Sequence, residues 1–456
     1  MDDRPGWARP DAAPAVESDF SPRKIKIATV ILLGQTFASS ILPFTALGYV
    51  LPSMTHEFGW SRTEFLLANS FLMWFGALTT WPMGRFTDVI GARPIILVGT
   101  IGVAAIDFLL LSEHGNLRQF YVLFALMGIF GSSGAMYSKV TTALFTQNRG
   151  KAMAILGVEG TVARMIVPGA TAFLILHYGW RGMFGVFGAV TALIIPLVFF
   201  FLEEPGTRGL KPTLGFRRPP AAETRPGATV VPFEGKTFAE ILRDGVFWVL
   251  LVTILVGMFV GNGMVTNIPT SLIEHGFGLQ TIGTADSIAT LAGIPGLLLA
   301  GWMMDRFPTP KIAAPFQLLL ALSAWLTMTV TPRNGGLELL IGARALFMFA
   351  FTTTLPIMAY QMTRFFGLKA YATSYGFMSS IQALCIGFAP PLMGYLRDRT
   401  GSYDIGYEAW AAASVLAAIV FALLPRYRFS ADIGAMPAAT KPSTGGPGAQ
   451  APGPAS

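Results

Sequence analysis

Apolar stretches of about 20 residues recur from one end of this chain to the other, each long enough as a helix to cross a hydrocarbon core of about 30 Å. Short segments rich in Gly, Pro, Arg and Lys separate them. Lipid offers no partner for a bare backbone group, so only helices or closed barrels can span it. A barrel strand alternates apolar with polar residues, and these runs are continuous. The expected class is therefore an all-α, multi-pass membrane protein. Composition agrees: 53% of the 456 residues are hydrophobic and 12% charged, against about 25% charged in soluble domains.

Pro, Gly and charge divide the chain into twelve predicted spans. The first six are 25–53, 63–84, 94–112, 118–146, 151–176 and 181–202; the second six are 245–273, 281–304, 311–331, 338–363, 371–396 and 407–425. The implied organisation is an N-tail (1–24), a six-helix bundle (25–203), a Pro-rich basic linker (204–243), a second bundle (244–428) and an Ala/Gly/Pro-rich C-tail (429–456). The polar start reads as a disordered tail rather than a cleavable signal peptide.

Lys and Arg placement predicts the orientation. Of 32 such residues, six (Arg62, Arg118, Arg181, Arg333, Arg397, Arg399) fall in the loops opposite the tails, and three (Lys139, Arg164, Arg344) within spans. The remaining 23 share the side of the tails, which the positive-inside rule makes cytoplasmic, in a bacterial inner membrane. The net charge of +7 then faces an anionic leaflet and needs no nucleic acid. Cys385 is the single cysteine, and His56, His114, His177 and His275 fall at or near loops, so neither a disulfide nor a metal centre is expected.

The ten residues "GRFTDVIGAR" (Gly84–Arg93) form a polar knot between the second and third spans. A shift of 217 residues carries Gly84 onto Gly301 and Asp88 onto Asp305, in "GWMMDRFPTPK", again between the second and third spans of a half. The same shift carries Gly150 onto Gly367. Two matched halves argue for a repeated transporter with its substrate site between them near the midplane.

The motif Gly84-x-x-x-Asp88-x-x-Gly91-x-Arg93 resembles the signature loop of the major facilitator superfamily, and the resemblance covers about residues 25–428. "FGWSR" (Phe58–Arg62), "NRGKAMAI" (Asn148–Ile155), "YGWR" (Tyr178–Arg181) and "RDRTGSY" (Arg397–Tyr403) are similar to bacterial members of the monocarboxylate porter group, including oxalate–formate antiporters. The acidic Gly-rich signature of animal carriers is absent: Ile25–Leu51 carries no charge after Lys26.

Gly84 and Gly91 suit close backbone approach at a crowded turn, and Asp88 stands where a neighbouring helix N-terminus would favour an anion. The resemblance implies that this neighbour is the eleventh span near Tyr371–Ser374, with Arg85 and Arg93 adding bonds across the halves. Asp305 and Arg306 would do the same near Lys151. These residues form an expected latch on the tail side; the alternative is that Asp88 satisfies only its own loop.

Charges at membrane depth cost about 2.5–3.5 kcal/mol each on the insertion scale, so they mark candidate sites. Lys139 and Glu159 lie about 14–16 Å above the turn at Gly150 on adjacent helices, a buried pair with either a structural or a proton-coupling role. Arg164 lies about 21 Å above it, close to the midplane. Its guanidinium suits bidentate capture of a carboxylate, with Asp107 on the third span as the competing partner. Arg344 either meets an anion from the other half or snorkels outward. By resemblance, the cavity is lined by the first and fourth spans of each half. That offers Gln35, Ser39, Tyr137, Asn262, Asn267, Tyr360 and Gln361 as polar contacts, and Gly261-Asn262-Gly263 is expected to loosen the seventh helix.

The expected function is secondary active transport of a small organic anion, a mono- or dicarboxylate, by proton symport or antiport. The expected state is a monomer in the lipid bilayer, with no cofactor. Multidrug or hydrophobic efflux is the alternative within the fold, and a passive facilitator stands further off. A sensor would need a signalling domain that the linker and tails do not supply. An enzyme is disfavoured because no nucleophile–base pair or metal cluster falls at membrane depth.

Overall fold

The computed structural model describes residues 21–38, 41–137, 140–141, 159–202 and 235–429. Most of the predicted tails and linker, Ser39, Lys139 and the stretch "NRGKAMAI" lie outside the described residues, as do the side chains of Asp88 and Glu159.

The first half holds six spans. α1 comes in two pieces, Pro22–Phe37 and Ile41–Phe58. α2 is Arg62–Ile90 and α3 is Ala92–Leu110. α4 starts at Leu117–Gly131 and tightens into a 3-10 turn, Ser132–Ala135. The stretch Glu159–Phe201 contains α5 and α6, parted at Gly179, whose φ of 69° no helix interior adopts.

The second half repeats the plan. α7 is Gly245–Glu274, preceded by a short helix, Phe238–Leu242. α8 is Leu279–Thr290 with Gly293–Arg306, α9 is Ala313–Thr329, and α10 is Gly336–Phe351 with Thr354–Phe366. α11 is Tyr371–Thr400 and α12 is Asp404–Leu423.

Local chemistry sets several of these starts. Ser61 and Glu64 form a capping box: the Glu64 N–H donates to Ser61 Oγ and the Ser61 N–H to Glu64 Oε2, at 3.1 and 2.9 Å. Asp244 caps α7 by accepting from the Val246 N–H.

Among the described residues, nine helical stretches are long and apolar enough to cross a membrane, and one of them, Gly160–Phe201, contains both α5 and α6. Leu298 is 70% exposed and Leu193 68%, on surface that only lipid would cover favourably. The chain is a multi-pass integral membrane protein.

The halves meet along three helix pairs: α2 on α11, α5 on α8, and α1 on α7. Glycine makes two of these crossings close. A Cβ at Gly48 would lie 2.2 Å from the Thr266 carbonyl oxygen, and one at Gly283 would lie 2.7 Å from that of Pro168. Every span runs between two faces, called here the terminal face, where Pro22 and Phe429 lie, and the far face.

Two local expectations change. "GRFTDVIGAR" is mostly helix, because α2 continues to Ile90; the turn is Gly91 alone, with φ 99°. The Gly261–Gly263 trio does not loosen α7, which runs unbroken. Asn262 donates back to the Met258 carbonyl at 2.9 Å. Gly263 instead admits α11, since a Cβ there would lie 2.8 Å from Met393.

Candidate functional site

Two chambers lie between the halves, and Arg164 and Asn262 line both. The wider one, about 580 Å³, is bounded by Gly160 and Thr161 at the start of α5 and by Leu355, Pro356, Ser379 and Gln382. All of these sit on the terminal-face portions of their spans. The narrower one, about 70 Å³, continues toward the far face between Thr45, Tyr49, Pro168, Thr266, Asp286 and Arg344.

Arg164 stands at the junction, half-buried, with its guanidinium 5.7 Å from the Phe351 ring centroid. Among the described residues it has no carboxylate partner. Asp107, the expected competitor, lies three residues from the end of α3, about 5 Å from the far end of that helix. Arg164 lies about 22 Å from the far end of α5 at Gly179. The two do not pair. Asp107 is fully buried, and neither carboxylate oxygen has a hydrogen-bond partner among the described residues.

The inner end of the narrow chamber is a buried ion pair that the sequence reading missed. Arg344 Nε donates to Asp286 Oδ1 at 2.5 Å, and Tyr49 Oη donates to Asp286 Oδ2 at 2.6 Å. Arg344 is 2% exposed, so it does not snorkel. Its charge is met by Asp286, and its guanidinium lies 5.0 Å from the Phe347 ring centroid. Tyr49 belongs to the first half and the ion pair to the second, so one hydrogen bond ties the halves together at a charge.

The shared depth was legible. Asp286 lies seven residues into α8 and Arg344 eight into α10, both starting at the far face, and Tyr49 lies nine from the end of α1. That places all three about 10–14 Å below the far ends of their helices.

The far face is shut by ions from both halves. Arg62 of α2 reaches Glu274 at the end of α7 at 2.7 Å and Asp398 of α11 at 3.6 Å. Arg397 holds the other side of Glu274 at 3.0 Å, and Thr63 donates to Asp398 through its N–H and its hydroxyl. Beneath them, Ser70 donates to the Gly387 carbonyl at 2.6 Å and Trp74 to that of Leu384 at 3.0 Å.

The described hydrogen bonds and ion pairs between the halves all lie at or beyond the level of Arg164, on the far-face side. Among the described residues, polar contacts join the halves at the far face and not at the terminal face. Exposed ion pairs contribute little singly, and this one is a network. Arg62→Ala removes two of its contacts and should shift the population toward far-face opening, read as a longer distance between spin labels on the ends of α2 and α11. An unchanged distance distribution would contradict that role.

Other predicted contacts fall elsewhere. Tyr137 is buried in the first half against Gly34, where a Cβ would meet its hydroxyl at 2.1 Å. Gln35 is half-buried on the first piece of α1 and does not line the two chambers. Tyr360 donates to the Met304 carbonyl at 2.8 Å and Gln361 to that of Pro310 at 3.3 Å, so they tie α10 to the end of α8 and to the turn that follows it. Asn267 bonds the Gly263 and Pro390 carbonyls. These polar groups serve interhelical bonds, the common use of such residues in spans.

At the terminal face, Gly84 and Gly301 each have open space where a Cβ would sit, so the expected close approach is not made in this conformation. Arg85, Asp305 and Arg306 are exposed, and Arg93 lies 5.4 Å from the Phe199 ring centroid.

Comparison with known proteins matches this architecture. The chain is 24% identical over 353 residues to monocarboxylate transporter 11 of Homo sapiens, covering 74% of this chain and 69% of that one. It is 24% identical over 297 residues to the gallate transporter of Pseudomonas putida, covering 59% and 63%; the match therefore spans less than two thirds of that relative. Among solved structures, the crystal structure of a D-xylose-proton symporter superposes with a TM-score of 0.66 at 16% identity, covering 88% of this chain and 98% of that one. Both relatives are named as transporters. The sequence profile of the Major Facilitator Superfamily matches residues 33–283 and 268–442, between them nearly all of both halves, and with twelve spans around a central cavity the chain belongs to that superfamily.

Proposed function

We propose that this protein is a secondary active transporter that carries an organic anion by its carboxylate through alternating access, coupled to protons. The observation that carries the reading is the charge at the cavity. Of the three charged residues that line the chambers among the described residues, Asp286 and Arg344 neutralise each other, and Arg164 is left to face the opening. A guanidinium in a low-dielectric site binds a carboxylate in a bidentate fork and repels cations. The relatives named for monocarboxylate and gallate support the same class. The terminal face, rich in Lys and Arg, is taken as cytoplasmic in a bacterial inner membrane, so the described conformation is inward-open.

Proton coupling is assigned to Asp286. Tyr49 of the first half donates to it across the halves, so opening of the far face would break a hydrogen bond to the carboxylate that is proposed to couple. The Lys139–Glu159 pair remains a proposed second site. Uptake of labelled carboxylates into proteoliposomes tests the whole reading: accumulation should collapse when the proton gradient is dissipated. Uptake that only equilibrates, with or without a gradient, would leave a passive facilitator.

The latch belongs to the opposite half of the cycle. Gly84, Arg85, Asp88, Gly91 and Arg93, with Gly301, Asp305 and Arg306, are proposed to join the halves when the terminal face shuts. The open space at Gly84 and Gly301 supports this, since it leaves room for an incoming helix. Asp88→Ala should give folded protein with transport reduced about tenfold or more, as for a lost contact of about 1.4 kcal/mol. Wild-type rates would contradict the latch.

A further inference from the structure

We infer that the cargo carries a single carboxylate on an apolar body of ring size, and that Phe351 with Met258 and Met348 is the wall that selects it. The inference rests on the carboxylate reading of Arg164 and narrows it, setting aside dicarboxylates and the smallest acids.

Three features of the cavity carry it. Arg164 is the one charged residue lining the wider chamber among the described residues. A second carboxylate on the cargo would have to leave water with no second cation among the described residues to meet it, which is costly in a low-dielectric site. The chambers also differ in scale. The inner one, about 70 Å³, has room for a carboxylate head or about two waters at about 30 Å³ each. The outer one, about 580 Å³, falls in the range of about 300–1,000 Å³ that encloses drug-sized ligands. A two-carbon acid anchored at Arg164 would leave the outer chamber filled with water.

The third feature is the composition of the outer wall. Phe351 and Met348 line both chambers, and Met258 lines the outer one. The Phe351 ring centroid lies 5.7 Å from the Arg164 guanidinium, so a head bound to Arg164 places the cargo's body near an aromatic and thioether surface. Methionine adapts to irregular apolar shapes and makes favourable contacts with aromatic rings. Asn262, with Thr161, Thr290, Thr352, Ser379 and Gln382, adds neutral polar groups that can orient a head but carry no second positive charge.

Binding of benzoate, cyclohexanecarboxylate, acetate and oxalate to the purified full-length protein tests the inference by titration calorimetry. Benzoate and cyclohexanecarboxylate should bind at least tenfold more tightly than acetate or oxalate. Phe351→Ala should weaken benzoate about tenfold and leave acetate within twofold, and Phe351→Leu, which keeps the wall apolar and the fold intact, should fall between. Acetate or oxalate binding as tightly as benzoate, with all lost in Arg164→Gln, would overturn the size and charge selection while leaving the carboxylate site standing. No binding by any of the four acids, or binding indifferent to Arg164→Gln, would overturn the carboxylate reading itself.

Discussion

Asp286→Ala is expected to destabilise the protein by about 3–5 kcal/mol, because it leaves the Arg344 guanidinium buried with no counter-charge. Arg344 is 2% exposed and cannot reach water without unpacking from Phe347. Tyr49 loses its acceptor at the same time, so the tie between α1 and α8 goes with the charge. Arg344→Leu should be milder, since Asp286 keeps the Tyr49 hydroxyl as a hydrogen-bond donor. The double variant Asp286→Ala with Arg344→Leu should recover most of the loss, because desolvation of two charges often equals or exceeds their mutual attraction. Thermal unfolding in detergent checks the order. If the double variant is as unstable as Asp286→Ala, the cost does not lie in the unpaired charge. The recovered variant should still bind carboxylate at Arg164 yet fail to accumulate it against a proton gradient, which separates coupling from binding.

The second large effect is on cargo. Arg164→Ala should cut carboxylate transport by about 30–100-fold, the equivalent of losing about 2–3 kcal/mol of charge-assisted hydrogen bonding. Arg164→Lys keeps the charge but offers a point rather than a planar fork. It should recover at most about a tenth of the wild-type rate. Full rescue by Lys would mean that the site reads charge alone. Destabilisation is expected to be small for either change, because Arg164 is half-buried at a cavity and has no carboxylate partner among the described residues.

Much of this architecture was legible in the sequence, because hydropathy and the 217-residue repeat are local patterns. Spans were predicted to within several residues wherever Gly, Pro or charge marked an end. The α2 terminus was not: Arg85 and Asp88 read as a loop, but the helix carries them to Gly91. Arg164 was identified because a charge about midway through an apolar run stands out.

Asp286 was missed for the opposite reason. It sits in "TADSIAT", close to the start of α8, where a polar stretch reads as the tail of a loop. Only the matching depth of Asp286, Arg344 and Tyr49 marks it, and that requires comparing three helices that lie far apart in sequence. The far-face network was invisible for a similar cause: Arg62, Glu274, Arg397 and Asp398 are ordinary loop-flanking charges until the halves close upon each other. Tyr360 and Gln361 show the converse case, each bonding a backbone carbonyl. A polar residue in a span bonds whichever carbonyl its neighbours offer, and sequence does not say whether that neighbour is cargo or backbone.

The central claim is that a single guanidinium at the junction of the two chambers holds the cargo's carboxylate. Titration of benzoate into purified wild-type protein and into Arg164→Gln, at one pH and one salt concentration, tests it most directly. The account predicts measurable binding to the wild type and at least a thirtyfold loss in the variant, with the thermal unfolding of both proteins alike. Equal affinity for the two proteins would contradict it.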